Sequence, residues 1–407
     1  MNRRRVAITG IGAVSALGAT AAETWEGLVA GRCGIRPVSL FDTEGLATRN
    51  AAQIVELPPV DGLDRRLLKR ASRADRLAVA ASEEALRDAG LERGAIDPAD
   101  AGVVLGAGAG GLFEAEGYYL DRIGGGLSRA RVSRAWGFSP ATTTDLLGAH
   151  LGFEGFTTTV MTACSSSTLA VGLAADAIRT GAAELMVTGG ADALSRLTFM
   201  GFCALRAVDP ERCRPFDRNR RGMSLGEGAG ILVLEDMERA RRRGARIRAE
   251  LLGYGAACDA HHVTAPDPSG DGASRTMLAA LQDAYVSADR IDYISAHGTA
   301  TQFNDEAETR AIHHVLGARA PEVPVSSIKS MVGHCLGAAG AVEAVALVLT
   351  VETGILPPTA GLRDPDPDCD LDYVPVKARA WPVRAALSNS FAFGGNNGAI
   401  VVGRYEG

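Results

Sequence analysis

Thr157-Thr158-Thr159-Val160-Met161 runs into Thr162-Ala163-Cys164-Ser165-Ser166-Ser167, and then into Thr168-Leu169-Ala170-Val171-Gly172-Leu173-Ala174-Ala175-Asp176-Ala177-Ile178. The first five residues are mostly β-branched and read as a strand; the last eleven are Ala-rich and read as a helix. Cys164 therefore sits on a strand-to-helix turn. The positive end of the helix favours thiolate over thiol there, and thiolate is the nucleophile. A lone cysteine in such a place is more often a small core residue. The rest of the chain decides between the two readings.

The same strand–turn–helix rhythm continues on both sides. Arg5–Thr9 reads as a first buried strand followed by glycine-rich Gly10–Gly18, whose spacing is not the G-x-G-x-x-G of a dinucleotide fingerprint. Leu63–Leu91 reads as one helix or two in succession. Its early part carries Arg65, Arg66, Lys69, Arg70, Arg73 and Arg76, of which 66, 69/70, 73 and 76 fall on one helical stripe. Such a stripe is either a solvated face or a dock for an acidic partner. Strand Ala101–Gly106 precedes a loose run, Ala107–Gly126, expected to line or cover a pocket. Strands follow at Glu184–Gly190 and Gly226–Glu235, with a polar loop, Arg214–Gly222, between them. A basic surface helix at Glu238–Arg248 closes this first pass.

A second pass starts near Ile247, with strands Arg248–Tyr254, Tyr293–Ala296 and Val323–Ser326. The helices are Ser274–Ala288, Asp305–Leu316 and Gly337–Thr353. Strands Arg384–Asn389 and Gly398–Gly403, linked by Phe391–Asn397, end it. The alternation predicts α/β layers around a mostly parallel sheet, in two halves at 1–245 and 246–407. Ala338–Leu349 is apolar almost all round, as a helix buried between layers is.

Composition narrows the function classes. A net charge of −6 over 407 residues gives no support for nucleic-acid binding. Seven widely spaced cysteines, with no C-x-x-C pair, indicate neither a disulfide framework nor a structural zinc site, and a reducing cytoplasm fits them. No run of 18 apolar residues marks a membrane span. Arg3–Arg5 ahead of an apolar run resembles a signal peptide, but Gly10, Gly12 and Gly18 interrupt it.

Three downstream stretches can complete a site for Cys164. They are Ser295-Ala296-His297-Gly298-Thr299-Ala300-Thr301, the run Ser327–His334 containing Lys329, and the glycine-rich Phe391–Asn397 loop. Strand C-termini gather at one edge of an α/β sheet, where sites form. Cys164, His297 and His334 could also hold zinc, although Lys329 beside them would oppose a cation.

These motifs, together with Lys329-Ser330-Met331-Val332-Gly333-His334 and Asn389–Asn397, resemble those of β-ketoacyl-[acyl carrier protein] synthases with a Cys-His-His site. The resemblance implies a thiolase-like fold, five-layered α-β-α-β-α, built from two similar halves and dimeric. It implies decarboxylative condensation of an acyl-Cys164 intermediate with a malonyl thioester. No cofactor is expected beyond the phosphopantetheine arm of the carrier protein. His297 and His334 would stabilise the enolate, and Lys329 beside His334 would order the site. The backbone N–H groups of Cys164 and Phe393 would form the oxyanion hole, with Phe393 also acting as a gate. Thr299, Thr301, Phe391 and Gly394 would contact the substrate arm. Glu308 would be a structural acid, and Arg65, Arg66, Lys69 and Arg206 would dock the carrier protein.

Three departures from the family pattern stand out: Ala392 for a glycine beside the gate, Asn396 for a threonine, and Met223 for a phenylalanine. Ala392 is expected to restrict φ and stiffen the gate. With Ser165-Ser166-Ser167, they point to polyketide or polyene synthesis rather than housekeeping fatty-acid elongation. The partner would be a second copy or a chain-length-factor-like homologue. A non-catalytic subunit would lack the nucleophile. A coenzyme A-dependent thiolase would carry a second cysteine near the last glycine loop, and Cys369 lies too far upstream.

Overall fold

The computed structural model describes residues 3–60, 62–92, 94, 96–126, 128 and 130–407. Its main sheet has ten strands. The first five are β1 (Val6–Val14), β2 (Ala101–Gly106), β3 (Thr157–Val160), β4 (Leu185–Asp192) and β5 (Gly228–Asp236). The second five are β6 (Ala249–Cys258), β7 (Tyr293–Ser295), β8 (Val325–Ser326), β9 (Ala385–Phe391) and β10 (Asn396–Gly403). In space the order is β8-β7-β9-β10-β6-β1-β5-β4-β2-β3. Counted from its own first strand, each half reads 3-2-4-5-1, so the second pass repeats the topology of the first. The expected boundary at 245/246 falls in the link between β5 and β6. The halves join where β1 pairs with β6 through Val6–Leu251, Ala7–Glu250 and Ile8–Ala249.

The expectation of a mostly parallel sheet is corrected. Strand pairs β2/β3, β2/β4, β7/β8 and β7/β9 are parallel. Pairs β1/β5, β1/β6, β4/β5, β6/β10 and β9/β10 are antiparallel. In the second half the cause is a short loop between β9 and β10, which cannot make the crossover that parallel strands need.

Seven helices position the site: α1 (Arg73–Asp88), α2 (Leu112–Gly125), α3 (Ser166–Arg179), α4 (Arg196–Ala204), α5 (Asp271–Ala284), α6 (Gln302–Leu316) and α7 (Ala339–Thr353). Helices α3 and α7 lie in the middle, and each packs against strands of both halves. Helix α1 covers the outer face of the first half, and α5 that of the second, with α6 packed beside α5. The layers are therefore α-β-α-β-α. The segment Leu336–Thr353 is long and apolar enough to cross a membrane, yet most of it is buried inside this fold.

Several local expectations change. β1 does not stop at Thr9 but continues through Gly10 and Gly12 to Val14. Those glycines let α1 lie against the strand: a Cβ on Gly12 would fall 2.0 Å from the Ala81 carbonyl oxygen. The run after β2 is largely helical, as α2, with Tyr119, Leu120 and Ile123 exposed. The basic stripe is broken, because the chain turns between a short helix, Arg65–Leu68, and α1. Ser72 and Asp75 close a capping box at the start of α1. Arg73 there points inward onto the Glu227 carboxylate at 2.7 Å. The basic helix near residue 240 is shorter than expected, Met237–Arg242, and Arg239 and Arg243 both turn onto the buried Glu235.

Candidate active site

Cys164 follows β3 on a short 3-10 turn, Ala163–Ser165, that leads into α3. The preceding Ala163 has φ +54°, a left-handed conformation that costs energy for a residue with a Cβ. The strain presents the sulfur at the sheet edge, where it is buried. His334 arrives from the other half on the link between β8 and α7, and its Nε2 lies 2.8 Å from Cys164 Sγ. His297 arrives from the end of β7. Its ring stands at 87° to that of His334, with centroids 5.5 Å apart.

Lys329 is buried near both rings, its charge acting on each, and of the two it hydrogen-bonds to His297. Its Nζ reaches His297 rather than His334, lying 2.6 Å from the His297 carbonyl oxygen and 3.4 Å from Nδ1. An ammonium donating to Nδ1 leaves the imidazole proton on Nε2, facing the cavity. Glu343 of α7 takes the other side of the ammonium as a buried ion pair. Burial pushes the Glu343 carboxyl up, and the Lys329 charge pulls it down. Glu308 on α6 accepts the backbone N–H groups of His297 and Gly298, both at 2.8 Å, which fixes the turn carrying that histidine. Burial holds its carboxyl up at about 7 against those bonds.

Electrostatics overturn the thiolate expectation. Burial pushes the Cys164 thiol up to about 11. The Lys329 charge and the backbone N–H groups of Phe393 and Cys164, both aimed at the sulfur, pull only part of the way back. Desolvation disfavours the charged form more than the Lys329 charge and these two N–H groups favour it, and the nearby Glu343 adds to the rise. Both imidazoles are held well below 6.5, first by burial and then by the Lys329 charge. The resting site is thus a thiol beside two neutral imidazoles. Nδ1 of His334 is buried without a hydrogen-bond partner among the described residues, so no neighbour dictates its tautomer. That ring can receive the thiol proton at Nε2 or donate from it.

Ligand atoms of Cys164, His297 and His334 lie within 4.8 Å of one another. Two ligands of one tetrahedral zinc, at about 2.3 Å for sulfur and 2.0 Å for nitrogen, stand about 3.6 Å apart. The 2.8 Å between Sγ and Nε2 is hydrogen-bond spacing instead, and an ammonium flanks the set. The arrangement suits a nucleophile with its proton partner.

A cavity of about 490 Å³ opens above these residues. Thr299, Thr301, Phe391, Phe393, Met223 and Arg206 all line it. Thr299 and Thr301 hydroxyls are 3.0 Å apart. Phe393 stacks on Phe202 of α4, centroids 5.8 Å apart. Gly394, expected to touch substrate, is exposed and lies off the lining. Arg65, Arg66 and Lys69 are exposed but also off it. Ala392 is extended at φ −115°, a conformation open to any residue, so its Cβ does not strain the gate. The left-handed turn falls on Gly394 and Gly395 instead. The sequence does not single out Glu343, one of two acids on α7 with Glu352.

Residues 3–240 match the description "Beta-ketoacyl synthase, N-terminal domain", and residues 248–363 match "Beta-ketoacyl synthase, C-terminal domain". The chain belongs to the β-ketoacyl synthase family. Across the whole chain it is 40% identical to a 3-oxoacyl-[acyl-carrier-protein] synthase 2 of Synechocystis sp., covering 99% of that protein. It is 41% identical to the ketoacyl synthase alpha subunit of the tetracenomycin polyketide synthase of Streptomyces glaucescens, over 98% of this chain and 97% of that protein. A solved structure titled as the ishigamide ketosynthase/chain length factor superposes with a TM-score of 0.95 at 41% identity, covering 99% of this chain and 100% of that one. This β-ketoacyl synthase is accordingly an acyltransferase of the condensing class with a thiolase-like fold.

Proposed function

We propose that this synthase holds an acyl group on Cys164 and condenses it with a malonyl group delivered by an acyl carrier protein. The carrying observation is the 2.8 Å contact between Cys164 Sγ and His334 Nε2, with the second imidazole beside it at the foot of the cavity. First, the thiol proton passes to His334 as Sγ attacks the acyl thioester, and then to the departing pantetheine thiol. Next, the malonyl thioester enters and loses CO2. The electron pair of the broken C–C bond becomes an enolate, whose oxygen accepts hydrogen bonds from Nε2 of His297 and His334. The enolate carbon attacks the acyl carbon, and the N–H groups of Cys164 and Phe393 hold the tetrahedral oxyanion. Collapse expels Sγ, and one proton is taken up overall. Lys329 sets the His297 tautomer and Glu343 anchors Lys329, while Glu308 fixes the turn. Thr299, Thr301 and Phe391 border the pantetheine arm, and Phe393 with Gly394 forms the gate.

Arg206 at the cavity mouth, with Arg65, Arg66 and Lys69 further out, would meet the acidic carrier protein. A partner subunit is supported by the first half. Among the described residues, edge strand β3 has one unpaired side, the exposed Phe156 and Met161 flank it, and α2 exposes apolar side chains as well. We place the protein in a type II polyketide or polyene system, with a chain-length-factor-like partner. A TM-score of 0.95 to a chain from such a pair supports this. The complete Cys164, His297, Lys329 and His334 set stands against a non-catalytic subunit. The free cysteines fit a reducing cytoplasm, and the halves 1–245 and 246–407 are taken as its two domains.

Intact mass after incubation with an acyl carrier protein carrying an acyl chain tests the reading. Wild type should gain the acyl mass and Cys164→Ala should not; equal labelling of both would end the proposal.

A further inference from the structure

The C-terminal residue of β4, Asp192, has no place in the chemistry above, yet it is fully buried. Its carboxylate accepts four backbone N–H groups. Three come from consecutive residues of the loop after β2: Gly108 at 2.8 Å, Ala109 at 2.8 Å and Gly110 at 2.9 Å. The fourth is Gly337 at 2.7 Å, three residues beyond His334 and at the start of the turn into α7. Between them Leu336 takes φ +53°, a left-handed conformation that a leucine adopts only when its surroundings impose it.

The four donors belong to both halves. β2 ends directly under the nucleophile's helix, two residues before Gly108: a Cβ on Gly106 would fall 2.2 Å from the Ser167 nitrogen. Gly337 lies equally close to that loop, since a Cβ on it would fall 2.5 Å from the Ala107 carbonyl carbon. One carboxylate thus ties the floor beneath Cys164 to the strand of chain that carries His334. We propose that Asp192 is a positioning residue for the Cys164–His334 pair, clamping the two halves of the site together through four backbone N–H groups without touching substrate. A carboxylate offers about four lone-pair sites in one plane, so it can serve all four donors. An asparagine would present an NH2 to two of them.

The inference rests on the proposed reaction, and its test keeps the two separable. Asp192→Asn and Asp192→Glu are compared with wild type by three measurements: thermal melting, alkylation of Cys164 by iodoacetamide, and kcat and KM for CO2 release from malonyl-carrier protein. The expected result for folded Asp192→Asn is kcat lowered about 10- to 100-fold with KM within about twofold, and alkylation of Cys164 changed by several-fold. Asp192→Glu, which keeps the carboxylate, should recover most of the loss. If Asp192→Asn does not fold, the smaller Asp192→Ser takes its place in the same comparison. A folded variant with wild-type kcat and alkylation, or an Asp192→Glu no better than Asp192→Asn, overturns the assignment. Wild type that neither acylates nor releases CO2 would sink the reaction itself, while the alkylation arm would still report on the clamp.

Discussion

The two halves share one topology and use it differently. In both, the third strand runs to the sheet edge and the chain then turns into a central buried helix. In the first half the turn from β3 to α3 is tight and carries Cys164 alone. In the second, the link from β8 to α7 is a longer excursion that carries both Lys329 and His334. The second strands differ in the same way: β2 ends in the glycine floor around Gly108, whereas β7 ends in His297. The first half supplies the nucleophile and its floor, and the second supplies the groups that move protons and hold developing charge. Duplication places equivalent edges opposite each other, so chemistry assembled at one meets a nucleophile held at the other.

The sharpest way to break this division is Cys164→Ala, which should abolish acylation by intact mass while leaving the second half's decarboxylating groups in place. Next, His297→Ala and His334→Ala should each lower malonyl CO2 release by about 10²–10³; Cys164 should still acquire the acyl mass in His297→Ala, and more slowly in His334→Ala, which lacks the group that takes the thiol proton. Undiminished release in both would remove the second half from that role. Glu343→Gln leaves the Lys329 ammonium buried without its acid, and by urea unfolding should cost about 3–5 kcal/mol. A loss under about 1 kcal/mol would show that the ammonium finds another partner.

Alkylation kinetics sharpen the comparison further. With the Cys164 thiol at about 11, the iodoacetamide rate should climb tenfold per unit from about pH 7 to 9. A plateau near pH 7 would mean that the field of α3 outweighs burial after all. The smallest effects belong to the surface. Arg66→Ala or Lys69→Ala should raise the KM for carrier protein a few-fold at low salt, an effect that fades as salt is added. Arg73→Ala, on the same apparent stripe, should lower the melting temperature instead, because it leaves Glu227 buried without its guanidinium.

Much of this was legible in the chain. Strand ends followed by glycine or by a helix start marked Cys164, His297 and His334, because a side chain at such an end must face the sheet edge. The apolar helix after His334 read as buried for lack of any polar face. Strand direction was not legible, since alternation of strands and helices does not say which strands return as hairpins. The stripe of arginines misled because a turn at Arg70–Ser72 resets the helical phase. The thiol's state was hidden for another reason: a helix start is visible locally, whereas burial is a sum over segments hundreds of residues apart. Asp192 and Glu343 escaped because their partners, backbone N–H groups and a distant lysine, carry no local pattern.

The shared middle layer also governs how the chain comes off the ribosome. Helix α3 is covered on one side by its own half and on the other by β6 and β10, so its apolar surface stays partly open until residues near 400 emerge. Helix α7, which packs beside it, is equally late. Nascent chains of the first half must therefore wait, half-clad, through the synthesis of the second, and closure depends on contacts of very long sequence separation. Expressed alone, residues 1–245 should aggregate unless 246–407 is supplied in the same cell.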